Sequence, residues 1–93
     1  MEKMKAITAI VTGRVHGVGF RYTARQMALN LGLVGWVRNR PDGTVEAWAQ
    51  GTPDVVAQFS SFLEQGPRPA RVTSVDIIDV EPDHTLDAFE VRP

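Results

Sequence analysis

"KAITAIVT" (residues 5–12) runs straight into "GRVHGVGFR" (residues 13–21), and the way the first run gives over to the second decides the fold. The first run is rich in β-branched residues and alternates loosely, so it reads as a strand. Glycines at 13, 17 and 19 then break it into a loop. Beyond the loop Phe20, Ala24, Met27, Ala28 and Leu31 recur at helical spacing, and Arg21, Arg25, Gln26 and Asn30 fall largely off that stripe. Gly32 supplies a helix stop.

Working outward, Leu33–Asn39 and Thr44–Gln50 are two short strand-like runs joined by Arg40-Pro41-Asp42-Gly43, a turn of the hairpin type. Thr52 and Pro53 form an N-cap and first-turn pair. Val56, Phe59 and Leu63 then make a helical stripe with Val55 and Phe62 beside it, closed by Gly66 before Pro67. Val72–Val80 alternates as a fourth strand, and Ala88–Arg92 is a short last strand beyond the acidic turn 81–87. The order predicts an α+β ferredoxin-like sandwich, βαββαβ with a short extra C-terminal strand, with two helices on one face of an antiparallel sheet. Right-handed crossovers leave the opposite face partly wet.

Ninety-three residues suit one domain, residues 1–93, with 43% hydrophobic and 23% charged residues, the balance of an ordinary soluble globule. The sequence has no cysteine, which excludes disulfides, thiolate metal sites and cysteine nucleophiles and fits a cytoplasmic location. The short N-terminal apolar stretch carries threonines and runs into a Gly-Arg turn, so neither a targeting segment nor a membrane span is expected. Net charge is −1, against a general nucleic-acid binder, but the charge is segregated. From Lys3 to Pro41 the charged residues are Lys3, Lys5, Arg14, Arg21, Arg25, Arg38 and Arg40, all basic, whereas residues 42–93 carry ten acidic and three basic side chains. The first half is built as if to meet an anion, the plainer alternative being a solvated basic face.

The loop is where that anion would sit. No Ser, Thr, Asp or Asn precedes Phe20, and Arg21 occupies a first turn in which the helix dipole favours an acid. A bound anion answers both choices: Gly17 and Gly19 let the N–H groups from about Val15 to Phe20 point into one concavity, and Arg21 adds a planar charged fork. The plainer alternative is a glycine turn entering a helix with Arg21 exposed. No GxxxxGK[ST] is present, and GxGxxG fails because Tyr22 stands where its third glycine belongs. His16 and His84 lie in no metal-ligand spacing, so no metal or other cofactor is expected. His16 suits local loop hydrogen bonding better than general-base work. Asn39, judged by its place alone, is a turn residue.

"GRVHGVGFR" resembles the acylphosphatase signature GxVxGVGFR, and "GWVRNRPDGTVE" (residues 35–46) is similar to the second motif of the same family. The resemblance covers essentially the whole chain. It implies metal-independent hydrolysis of the carboxyl–phosphate bond of small acyl phosphates, with Arg21 as the phosphate-binding arginine and Asn39 as the water-orienting asparagine. The phosphate loop then falls on Val15, His16, Gly17, Val18, Gly19 and Phe20. The chemistry agrees, because a carboxylate of parent pKa ~4 leaves without a general acid, so a site with no evident acid–base pair suffices for an activated phosphate. Partners are then a small acyl phosphate and inorganic phosphate, with a monomer expected and neither nucleic acid nor membrane. The rival class is a non-catalytic anion-binding or regulatory module on the same fold; Asn39 favours the enzyme, since a binding module needs the cradle but no amide beside an attacking water. Related domains occur inside larger carbamoyl-transfer proteins, but no extension here suggests one. The aromatic residues Trp36 and Trp48 read as sheet packing, Tyr22 as support for the helix start, and the acidic residues 76–90 as a solvated edge that discourages edge pairing.

Overall fold

The computed structural model describes residues 3–93. The reading of the N-terminus as carrying no targeting segment falls partly on Met1 and Glu2, outside the described residues. The elements follow one another as β1 (Lys5–Arg14), α1 (Phe20–Leu31), β2 (Val34–Asn39), β3 (Val45–Gly51), α2 (Pro53–Gln65), β4 (Arg71–Val80) and β5 (Phe89–Arg92). The five strands form one sheet in the order β4-β1-β3-β2-β5.

Alternation along the strands divides the sheet into two faces. Ile7, Ala9 and Val11 of β1, Val37 of β2, and Val45, Ala47 and Ala49 of β3 point to the helices and are buried. Against them pack Phe20, Ala24 and Ala28 of α1 and Val56, Phe59 and Leu63 of α2, the stripes read from the sequence. Alanines at the centre of β1 and β3 let the helices sit close, and α1 lies over β2 and β5 with α2 over β1, β3 and β4. On the far face Trp36 and Trp48 stand directly opposite each other, half-buried, and Trp36 is flanked by the guanidinium groups of Arg38 and Arg92.

Two details depart from the sequence reading. Thr52 takes the N-cap position of α2, but its hydroxyl donates to the Asp54 carboxylate at 2.6 Å and makes no side-chain cap. The sheet is antiparallel through its first four strands only, because β5 pairs parallel with β2. The chain's direction explains this. β1 and β2 run one way, β3 and β4 the other, so one reversal after β4 makes β5 run with β2, and the only vacant edge beside α1 is next to β2.

To reach that edge, residues 81–88 cross the width of the sheet beneath β1 and β3. Gln50, 3% exposed at the end of β3, holds the crossing: its Oε1 accepts from the Asp83 N–H at 2.7 Å and its Nε2 donates to the Asp83 carbonyl at 3.3 Å. Both halves of a buried amide are thereby satisfied. At the other end of the crossing the Gly35 N–H donates to the Ala88 carbonyl at 2.9 Å, and Phe89 is buried with its ring edge against Phe59, centroids 5.8 Å apart.

Candidate active site

Strand direction brings the chemistry to one end of the molecule. β1, β2 and β5 all finish there, β3 and β4 begin there, and α1 starts there as the chain turns back from β1. The loop 15–19, the first turn of α1 and the last residue of β2 are therefore neighbours although up to 24 positions separate them in sequence.

The loop is shaped by backbone conformation. Gly17 and Gly19 have φ values of 70° and 76°, in the left-handed region that glycine enters without a Cβ penalty. Gly19 is the N-cap of α1, no side chain caps the helix, and its first turn holds no acid, as the sequence predicts. The first helical bond runs from the Thr23 N–H to the Gly19 carbonyl at 3.0 Å, so the N–H groups of Phe20, Arg21 and Tyr22 have no helical acceptor. Among the described residues no backbone bond takes up the amides of residues 15–19 either. Half-buried Arg21 is paired with no carboxylate among the described residues. A helix N-terminus, a run of unengaged amides and an unpaired guanidinium make an environment suited to an anion.

Asn39 closes the other side. It ends β2 on the helix-facing side, two residues beyond buried Val37, and its Oδ1 is buried with no hydrogen-bond partner among the described residues. His16 ties the two halves together. Its Nε2 lies 2.8 Å from the Thr44 carbonyl, and because a carbonyl only accepts, that nitrogen carries the proton. The same carbonyl takes the Arg40 N–H at 2.9 Å. The turn is stiffened in addition by Asp42, whose Oδ1 accepts from the Thr44 hydroxyl at 2.6 Å and the Thr44 N–H at 3.0 Å, bonds that hold its carboxyl below the usual carboxylate range.

A cleft of about 390 Å³ opens between these parts. It is lined by Val15, Gly17, Gly19, Phe20, Arg21 and Asn39, six of the residues predicted for the site, together with Tyr22 and Val91. His16 and Val18 are not on its wall: the His16 ring serves the turn, and the Val18 side chain packs against the core. Tyr22, read from the sequence as support for the helix start, stands 66% exposed on this wall. Val91 escaped sequence reasoning, since only the Phe89-x-Val91 alternation hints at its direction and nothing local says which strand it joins. Among the described residues no group of three His, Cys, Asp or Glu side chains is placed to hold a metal. No helix among them is long and apolar enough to cross a membrane.

The family profile described as Acylphosphatase matches residues 7–91. An acylphosphatase from a Nocardioides species is 51% identical over 91 residues, covering 98% of this chain and 91% of the relative. One from Acaryochloris marina is 45% identical over 91 residues, covering 98% and 97%. The crystal structure of acylphosphatase from Bacillus subtilis superposes with a TM-score of 0.92 at 32% identity, covering 98% of this chain and all of that one.

Proposed function

The chain belongs to the acylphosphatase family, enzymes of acyl phosphate hydrolysis, and from that premise we propose how its own residues carry the reaction. Arg21 and the amides of residues 15–20 hold the phosphoryl oxygens, the amide of Asn39 orients a water, and that water attacks phosphorus directly. The observation that carries this reading is the buried Asn39 Oδ1, an acceptor with no donor among the described residues, on the wall of the same cleft as Arg21, which no carboxylate among them pairs. A buried acceptor left alone costs ~1–3 kcal/mol, and a water donating one hydrogen to it removes that cost and turns a lone pair toward the cradle.

The step balances without a further reagent. Water oxygen bonds to phosphorus, the bond from phosphorus to the acyl oxygen breaks, and its electron pair leaves on the carboxylate. One hydrogen stays on the attacking oxygen and the other passes to a phosphoryl oxygen, giving a carboxylate and dihydrogen phosphate. Because the leaving carboxylate has a parent pKa of ~4, no general acid is required. The contribution of the protein is placement and charge: Arg21 and the amides meet the charge on the equatorial oxygens, and Asn39 fixes the line of attack. The same reading takes residues 1–93 as one domain and the enzyme as a cytoplasmic monomer working without metal or cofactor.

Hydrolysis of benzoyl phosphate at neutral pH with excess chelator, beside p-nitrophenyl phosphate, tests the proposal. Fast turnover of the acyl phosphate with little of the ester is expected. Binding of inorganic phosphate without turnover of either would instead make the cleft that of an anion-binding module.

A further inference from the structure

Two of the cleft's wall residues have no part in the scheme above, and both are apolar and open to solvent. Tyr22 lies on the first turn of α1, off the stripe of Phe20, Ala24 and Ala28, and is 66% exposed. Val91 points to the helix side of β5, as its partner Val37 and its neighbour Phe89 do, yet it is 41% exposed where those two are buried.

The relative placement follows from one hydrogen bond. Arg25 donates from Nε to the Phe89 carbonyl at 3.2 Å, which sets the level of α1 against β5. The helix runs opposite to β5, because α1 starts where β5 ends. Two residues along a strand rise ~6.6 Å and four along a helix rise ~6 Å, so Val91 stands level with the first turn, beside Arg21 and Tyr22. Single exposed apolar side chains are ordinary on a protein surface. The cleft's other wall residues are Arg21, Asn39, Gly17, Gly19 and the buried Val15 and Phe20, so the exposed pair forms an open apolar surface next to an anion cradle.

We propose that Tyr22 and Val91 form the acyl-binding wall of the site and select apolar acyl groups larger than acetyl, an inference that rests on the acyl phosphate reading above. The space agrees. A phosphoryl group takes the place of only a few waters, so the cleft of about 390 Å³ has room beside it for the acyl part. A tyrosine ring offers a flat face on which an aromatic or branched acyl group sheds water, and Val91 offers a second apolar contact without polar atoms.

The test compares kcat/KM for benzoyl and acetyl phosphate in the wild type, Tyr22→Ala, Tyr22→Phe and Val91→Ala, with the Ki of inorganic phosphate measured on each. The wild type is expected to favour benzoyl phosphate. Tyr22→Ala should lower the benzoyl-to-acetyl ratio by about tenfold and Val91→Ala by about threefold, with the Ki of phosphate unchanged. Tyr22→Phe should keep the wild-type ratio, since the ring and not the hydroxyl makes the wall. A ratio unmoved in both alanine variants, with both substrates still hydrolysed, would overturn the acyl wall and leave the hydrolase standing. A wild type that turns over neither substrate would overturn the hydrolase reading and the wall with it.

Discussion

Asn39 and Arg21 face the same cleft but differ in what each can do to a phosphate. Arg21 offers charge and a fork of donors to oxygens present in substrate, transition state and product alike, so its removal weakens all three. Asn39 offers a neutral acceptor that suits the attacking water, which the product no longer has. Arg21→Gln should therefore raise the Ki of inorganic phosphate by at least about tenfold and lower kcat/KM by about 10²–10³-fold. Asn39→Ala should lower kcat by a similar factor while the Ki of phosphate stays within about twofold. Equal losses of affinity and rate in the asparagine variant would assign it to binding. The two residues also differ in how legible they are. Arg21 announces itself, because a cation in a helix's first turn after a glycine loop is locally unfavourable and asks for an anion. Asn39 is locally at ease beside Pro41-Asp42-Gly43, so only the resemblance carried by residues 35–46 gave it a role, and its buried Oδ1, without a partner among the described residues, needs the fold to be seen.

At the scale of elements, period and punctuation located every helix and strand, since each stripe of Phe20-Ala24-Ala28 or Val56-Phe59-Leu63 is a local signal of a buried face. The direction of β5 was not local. It depends on which edge the 81–88 crossing reaches and on Gln50 holding that crossing by the Asp83 backbone. Gly35 shows how closely β2 and β3 are set. It lies in β2 with φ 144°, and a Cβ there would fall 1.8 Å from the Trp48 carbonyl oxygen. That oxygen belongs to backbone in the β2–β3 pairing, so the side chain cannot simply turn aside. Gly35→Ala should destabilise the protein by more than ~3 kcal/mol, read as a fall in the urea midpoint at unchanged m-value. A loss under ~1 kcal/mol would show that β2 shifts freely against β3, and Asn39 at its end would then be less firmly placed than argued above.

For the whole molecule, the charge that looks divided along the chain is divided between the two ends of the sheet by the fold. Arg14 and Arg71 face each other at the site end of β1 and β4, and Arg21 and Arg40 join them there, Arg40 lying 3.8 Å from Asp42. The far end holds Asp79, Glu81, Asp83 and Asp87, against which Lys5 pairs with Asp79 at 3.7 Å. The sequence blocks do not map cleanly onto the ends, since Arg71 comes from the acidic half and Lys5 from the basic half. Strand direction sorts them. β1 is ten residues long, ~34 Å at ~3.4 Å per residue, several times the Debye length of ~8 Å at physiological salt. An approaching acyl phosphate at the cleft therefore meets the arginines and is screened from the acidic end. The expected consequence is a kcat/KM that falls several-fold as sodium chloride rises from ~20 mM to ~0.5 M, with kcat flat. The double variant Arg14→Gln/Arg71→Gln should flatten that dependence, and Glu81→Gln/Asp87→Asn should leave it as in the wild type. A salt dependence altered equally by both pairs would mean that net charge, and not its placement by the fold, governs the approach of substrate.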